Sequence, residues 1–114
     1  MNFDETDEFS KDFKRLPKKY KSLIDDLLEF KKVVLKFPLG TGKHFVVLIA
    51  KETVKIIKGR FFCRYLKGSS LRIIYAYCEN KHMIEFIQLY FKGDKENEDN
   101  NRIKNYLRNF RQRI

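Results

Sequence analysis

Between Val54 and Arg72 the chain reads VKIIKGRFFCRYLKGSSLR, with Lys55, Lys58, Arg60, Arg64, Lys67 and Arg72 basic and no acidic residue among them. The apolar residues of the same stretch, Ile56, Ile57, Phe61, Phe62, Cys63 and Tyr65, fit a pleated, half-buried surface. This combination requires a sheet that carries its cations on strands, where they are held more rigidly than on a flexible tail. Such a surface suits gripping a polyanion in one geometry. A merely solvated sheet face, or a docking face for an acidic protein, would also carry charge, but a solvated face normally mixes signs.

Composition narrows the partners. The net charge of +10 and a pI near 9.7 point to nucleic acid, an acidic protein or a membrane surface. At 114 residues the expectation is a single domain, 1–114, with one modest core. An apolar content of 43% is too high for a disordered chain. No apolar run approaches the ~18 residues needed to span a bilayer. The opening MNFDETDEF is acidic, unlike the basic start of a signal peptide. Cys63 and Cys78 make no disulfide framework and fit buried free thiols in a reducing cytoplasm.

Along the chain, Phe9, Phe13 and Leu16 recur on one helical face, with Thr6 or Asp7 placed to cap and Pro17 to end the helix. A second helix begins at a Ser22 cap, runs through the stripe Leu23, Ile24, Leu27, Leu28, Phe30, Val34 and Leu35, and stops at Pro38 and Gly40. So short a connection predicts an antiparallel helical hairpin. The pattern then changes to strands. Val46–Ala50 is either an extra strand or a loop crossing the core. Val54–Leu66 pairs with Leu71–Cys78 across a turn at Lys67–Ser70, and Met83–Phe91 follows the turn Glu79–His82. LRIIYAYC, nearly all apolar, reads as a central strand covered on both faces. A last helix runs from about Glu98 to Phe110. The fold class is α+β: an N-terminal helical hairpin packed on an antiparallel sheet, with a C-terminal helix, the helices sharing one face.

Several motifs resolve to plain readings. Gly40-Thr41-Gly42-Lys43 is not a P-loop, because Phe37 stands where a glycine is needed, His44 where Ser or Thr is needed, and no strand precedes it. Cys63, Cys78, His44 and His82 lack paired metal-ligand spacing and offer no Cys–His nucleophile. Asp94, Glu96, Glu98 and Asp99 precede a helix and read as capping and dipole-complementing carboxylates rather than a metal site. Among the aromatic residues Tyr90, beside Lys92 and Lys95, is the best placed to reach solvent.

The order FSKDFKRLPKKY, K-x-R at Lys58–Arg60, LRIIYAY from Leu71, IEFIQLYFKGDKENED from Ile84 and a closing helix resembles the RelE/ParE superfamily of bacterial type II toxins, in particular its RelE/HigB-like members. The resemblance runs from about Phe9 to Leu107. It implies a small cytoplasmic toxin, neutralised by an acidic antitoxin, that cleaves mRNA on the ribosome without a metal or other cofactor. The ParE branch instead inhibits DNA gyrase without catalysis, and a basic binding module that has lost toxicity is a further alternative. Carried over residue by residue, the family's strand arginine matches Arg72, and its preceding basic strand matches Lys58 and Arg60, with Lys55 possible. Its terminal cation and aromatic match Tyr90, Lys92 and Lys95. Lys55, Arg64, Lys67, Arg102 and Arg108 are the remaining RNA-binding candidates. A departure is the lack of a histidine near that terminus, which leaves the general acid and base unassigned.

Overall fold

The computed structural model describes residues 1–16, 18, 20–40, 42–95 and 97–113, with the side chains of 69, 70 and 111–113 left aside. Pro17, Thr41 and Glu96, named above, lie outside the described residues. The elements are β1 (Asn2–Glu5), α1 (Asp7–Arg15), α2 (Leu23–Lys36), β2 (Phe45–Ala50), β3 (Lys55–Cys63), β4 (Gly68–Cys78), β5 (Met83–Phe91) and α3 (Asn100–Arg113). The fold is α+β, a helical hairpin and a C-terminal helix on a five-stranded sheet of order β1-β5-β4-β3-β2.

Local chemistry accounts for the helices. Thr6 is extended and its hydroxyl accepts the Phe9 amide at 3.1 Å, while Asp7 and Glu8 complement the positive end of α1. Ser22 precedes α2, but its hydroxyl does not cap it as expected. It donates to Asp26 Oδ2 at 2.8 Å and accepts the Tyr65 amide at 3.0 Å, and Asp26 also accepts the Arg64 amide. The start of α2 is therefore tied to the turn after β3. That turn falls at residues 64–67, with Lys67 left-handed (φ 53°), not at Lys67–Ser70. A bulge at Phe62 shifts the register, so that Cys63 already faces Gly68.

The sheet settles an open reading at one edge and differs from expectation at the other. Phe45–Ala50 is an edge strand rather than a loop. Asn2–Glu5 adds the opposite edge by parallel pairing with Met83–Phe86, which makes the sheet mixed rather than purely antiparallel. Phe3, its one apolar residue, stacks on Phe86 with ring centroids 6.1 Å apart.

Strand alternation divides the core in two. Leu71, Ile73 and Tyr75 of β4 join Phe9, Leu23, Phe30 and Val34 under the hairpin. Ile74, Ala76 and Cys78 join Ile103, Tyr106 and Phe110 of α3. The helices thus cover both faces, not one, because a strand apolar on both sides needs a layer against each. Cys63 and Cys78 are both buried, on opposite faces, as free thiols. Gly59 lets the Phe45 ring close over β3: a Cβ there would lie 2.9 Å from Phe45 Cε2. Its neighbours Lys58 and Arg60 consequently face the α3 side.

The exposed edge of β5 is sealed by side chains where β1 ends. Asp12 accepts the Leu89 amide at 3.1 Å and is paired with Arg102, whose guanidinium also donates to the Ile87 carbonyl at 3.1 Å. One carboxylate from α1 and one guanidinium from α3 together replace the missing strand.

Candidate nucleic-acid interface

Register brings the principal candidates together. Arg60 of β3 lies directly opposite Arg72 of β4, and Arg72 directly opposite Tyr90 of β5. The three form one row across three strands on the α3 face, with Lys58 two residues along β3 on the same side. Adjacent like charges are unfavourable across a ladder. Two arginines in that relation suit an anion placed over them.

Glu98, from the segment leading into α3, completes the group. Its Oε1 lies 2.9 Å from Lys58 Nζ, with the side chains 16% and 24% exposed. Burial is the largest single influence on Lys58 and would lower its pKa, but the hydrogen bond to Glu98, the Glu98 charge and the Tyr90 phenol together outweigh it and the pKa is raised. Burial, the largest influence, likewise opposes ionisation of Glu98, yet the Lys58 hydrogen bond, a bond to its own backbone amide and the Lys58 charge together hold its pKa below the usual value. Both groups are charged at neutral pH. Tyr90 is 5% exposed, and burial pushes its pKa up against the opposing charge of Lys58. Among the described residues, Tyr90 Oη is a buried side-chain oxygen that completes no hydrogen bond of good geometry. Burial and then the Arg60 charge lower the Arg72 pKa, and the guanidinium remains a cation regardless. The described cluster holds three cations, one carboxylate and one neutral phenol.

The remaining candidates lie elsewhere. Lys55 pairs with Tyr77 and by alternation faces the hairpin side. Arg64 is held by Asp26 and Asp25 of α2, with Nε 3.4 Å from Asp26 Oδ1. Lys67 is exposed in the β3–β4 turn, Lys92 and Lys95 in the turn after β5, and Arg108 on the outer side of α3. Arg102 is occupied by Asp12 and the Ile87 carbonyl. His44 lines a groove of about 680 Å³ with Phe30, Val33, Phe45, Arg60 and Phe62, and His82 sits left-handed in the β4–β5 turn. Neither histidine is in the cluster. Asp99 caps α3 as expected, its Oδ1 accepting the Arg102 amide at 3.1 Å. Glu98 does not cap. Its ion pair was hidden in a run of acids whose spacing gave no sign that one of them turns back to β3.

No protein-family model matches the chain, and no curated protein matches it. The fold has a solved counterpart, an archaeal RelE in the RelE–RelB complex from Pyrococcus horikoshii OT3. The two are 18% identical and superpose with a TM-score of 0.61 over 81% of this chain and 94% of that one. Hairpin, sheet and closing helix together give this chain the RelE-like fold.

Proposed function

We propose that the chain is the toxin of a type II toxin–antitoxin pair and that it cleaves mRNA on the ribosome without a metal. The observation that carries this reading is the row Arg60, Arg72, Tyr90 with Lys58 beside it, on a RelE-like fold. Self-cleavage of RNA requires the 2′-oxygen to lose its proton, here to solvent, and attack phosphorus, and the 5′-oxygen to leave with a proton. The products are a 2′,3′-cyclic phosphate and a 5′-hydroxyl. Charge builds on the non-bridging oxygens meanwhile, and Arg60 and Arg72 would supply preorganised countercharge. Their rigid strand bases favour a bidentate grip. Lys58, kept protonated, is the proposed donor to the 5′-oxygen. Tyr90 Oη, set beside the Lys58 ammonium, would bind the reacting phosphate. Lys92, Lys95, Lys67 and Arg108 would hold flanking phosphates.

The proposed protein partner is an acidic antitoxin that covers the cation face around Lys58, Arg60 and α3, excluding RNA by occupying its electrostatic site. Charge complementarity of this kind speeds association, and the on-rate falls with salt.

The test is induced expression of wild type and Arg72→Ala, with translation and DNA replication followed separately. Wild type should arrest translation, and Arg72→Ala should abolish growth inhibition while keeping the native circular dichroism spectrum. Full toxicity in that variant, or arrest of replication with translation intact, would defeat the ribonuclease reading.

A further inference from the structure

In the described cluster Glu98 is a carboxylate set beside three cations and the Tyr90 phenol. Its presence is not required to anchor α3. Asp99 N donates to Gln88 Oε1 at 2.9 Å, Arg102 is bound to Asp12, and Tyr106 Oη donates to Glu85 Oε1 at 2.8 Å. Ile103, Tyr106 and Phe110 bury the helix on the sheet as well. Glu98 itself precedes the first turn of α3, in the irregular segment that follows β5.

The geometry sets up a competition. A phosphate over Arg60, Arg72 and Tyr90 lies one strand repeat from Lys58, within reach of its flexible four-carbon stem. Lys58 is already neutralised by Glu98 at 2.9 Å. We propose that Glu98 is a displaceable counter-ion: binding of a phosphodiester chain exchanges the Lys58–Glu98 pair for a Lys58–phosphate pair. Simple anions that cannot outcompete a carboxylate fixed next to the ammonium are kept off Lys58. Between encounters the intact Lys58–Glu98 pair lowers the charge of the site, limiting non-specific capture of anions by a chain of net charge +10. The proposal rests on reading the cluster as a phosphate site.

The experiment measures equilibrium binding of pyrophosphate and of a short, uncleavable 2′-O-methyl oligoribonucleotide to wild type, Glu98→Gln, Glu98→Ala, Lys58→Gln and the Lys58→Gln/Glu98→Gln double variant. Circular dichroism checks that each is folded. Releasing Lys58 should tighten both ligands about fivefold in Glu98→Gln, the scale of one partly exposed ion pair. The slope of log affinity against log salt should steepen by about 0.7 for the oligonucleotide, one further phosphate contact on a single strand. Adding Glu98→Gln to Lys58→Gln should then give no gain. Unchanged or weaker binding in folded Glu98→Gln and Glu98→Ala overturns the proposal. A gain that persists without Lys58 also overturns it, since the effect would then be one of net charge. Wild type that binds neither probe defeats the phosphate site and the counter-ion together. If the binding pattern holds while wild type fails to arrest translation, the ribonuclease reading falls and the counter-ion stands.

Discussion

Removing the Asp12 carboxylate from its buried position on α1 should destabilise the fold. Asp12 is 9% exposed and accepts the Leu89 amide and two bonds from Arg102, itself 13% exposed in its side chain. Asp12→Ala strands a buried guanidinium, which costs roughly 3–5 kcal/mol when one partner of a buried pair is lost. The Leu89 amide, unpaired at a strand edge, adds about 1 kcal/mol where water cannot reach it. Arg102 retains the Ile87 carbonyl, which offsets part of this, so we expect a net loss of about 3 kcal/mol. In urea this appears as a lower midpoint at unchanged m-value, and on heating as a fall in Tm of roughly 12 °C. The double variant Asp12→Ala/Arg102→Met should recover about half the loss, since no charge remains uncompensated. A loss below about 1 kcal/mol for Asp12→Ala, or strict additivity in the double variant, would refute the edge-sealing role.

Three other outcomes are expected. The Lys58–Glu98 pair should contribute roughly 1 kcal/mol or less. Because the Glu98 pKa is lowered on folding, its share is present above the ordinary carboxylate pKa and lost as pH falls through the lower folded one. Because the Lys58 pKa is raised, its share is present below the ordinary lysine pKa and lost as pH rises through the higher folded one, so Lys58→Met should flatten both limbs of a stability–pH curve. Tyr90→Phe should leave stability within about 0.5 kcal/mol, since Oη completes no good hydrogen bond, while reducing growth inhibition; a large loss of stability would reveal a structural partner. Gly59→Ala should cost roughly 1–3 kcal/mol by urea unfolding as the new methyl displaces the Phe45 ring, and a neutral result would show the ring free to move.

The elements that sequence reveals most clearly here are those specified by local pattern. The α1 cap at Thr6, the apolar stripe of α2 and the apolar run Ile73–Cys78 of β4 each follow from residues a few positions apart. β1 does not, because NFDE has one apolar residue and becomes a strand only by pairing with residues some eighty positions away. The location of α3 was present in principle, since LRIIYAYC has no face to leave to solvent, yet a one-face arrangement overlooked it. In the site, alternation alone puts Lys58 and Arg60 on one side of β3 and Lys55 on the other. Bringing Arg60, Arg72 and Tyr90 into a row depends on cross-strand register, and register here depends on bulges at Phe62 and beside Gln88 that no residue type announces. Arg64 and Arg102 looked equivalent to Arg60 by charge. Only their packed neighbours, Asp26 and Asp12, mark these two as structural cations.

The strand order also fixes which parts of the sheet let go first. β1 rests on a four-residue ladder with mostly exposed side chains, and β2 is an edge strand with Val46 and Val47 open to solvent. Native-state hydrogen exchange should therefore find these edges opening at low free energy, and the β4 amides exchanging only with global unfolding. Arg72 is carried on that slowest-opening strand, flanked by Leu71 and Ile73, both fully buried. The fluctuations that release either margin of the sheet leave its backbone in place. A guanidinium so mounted keeps its aim while the rest of the molecule breathes.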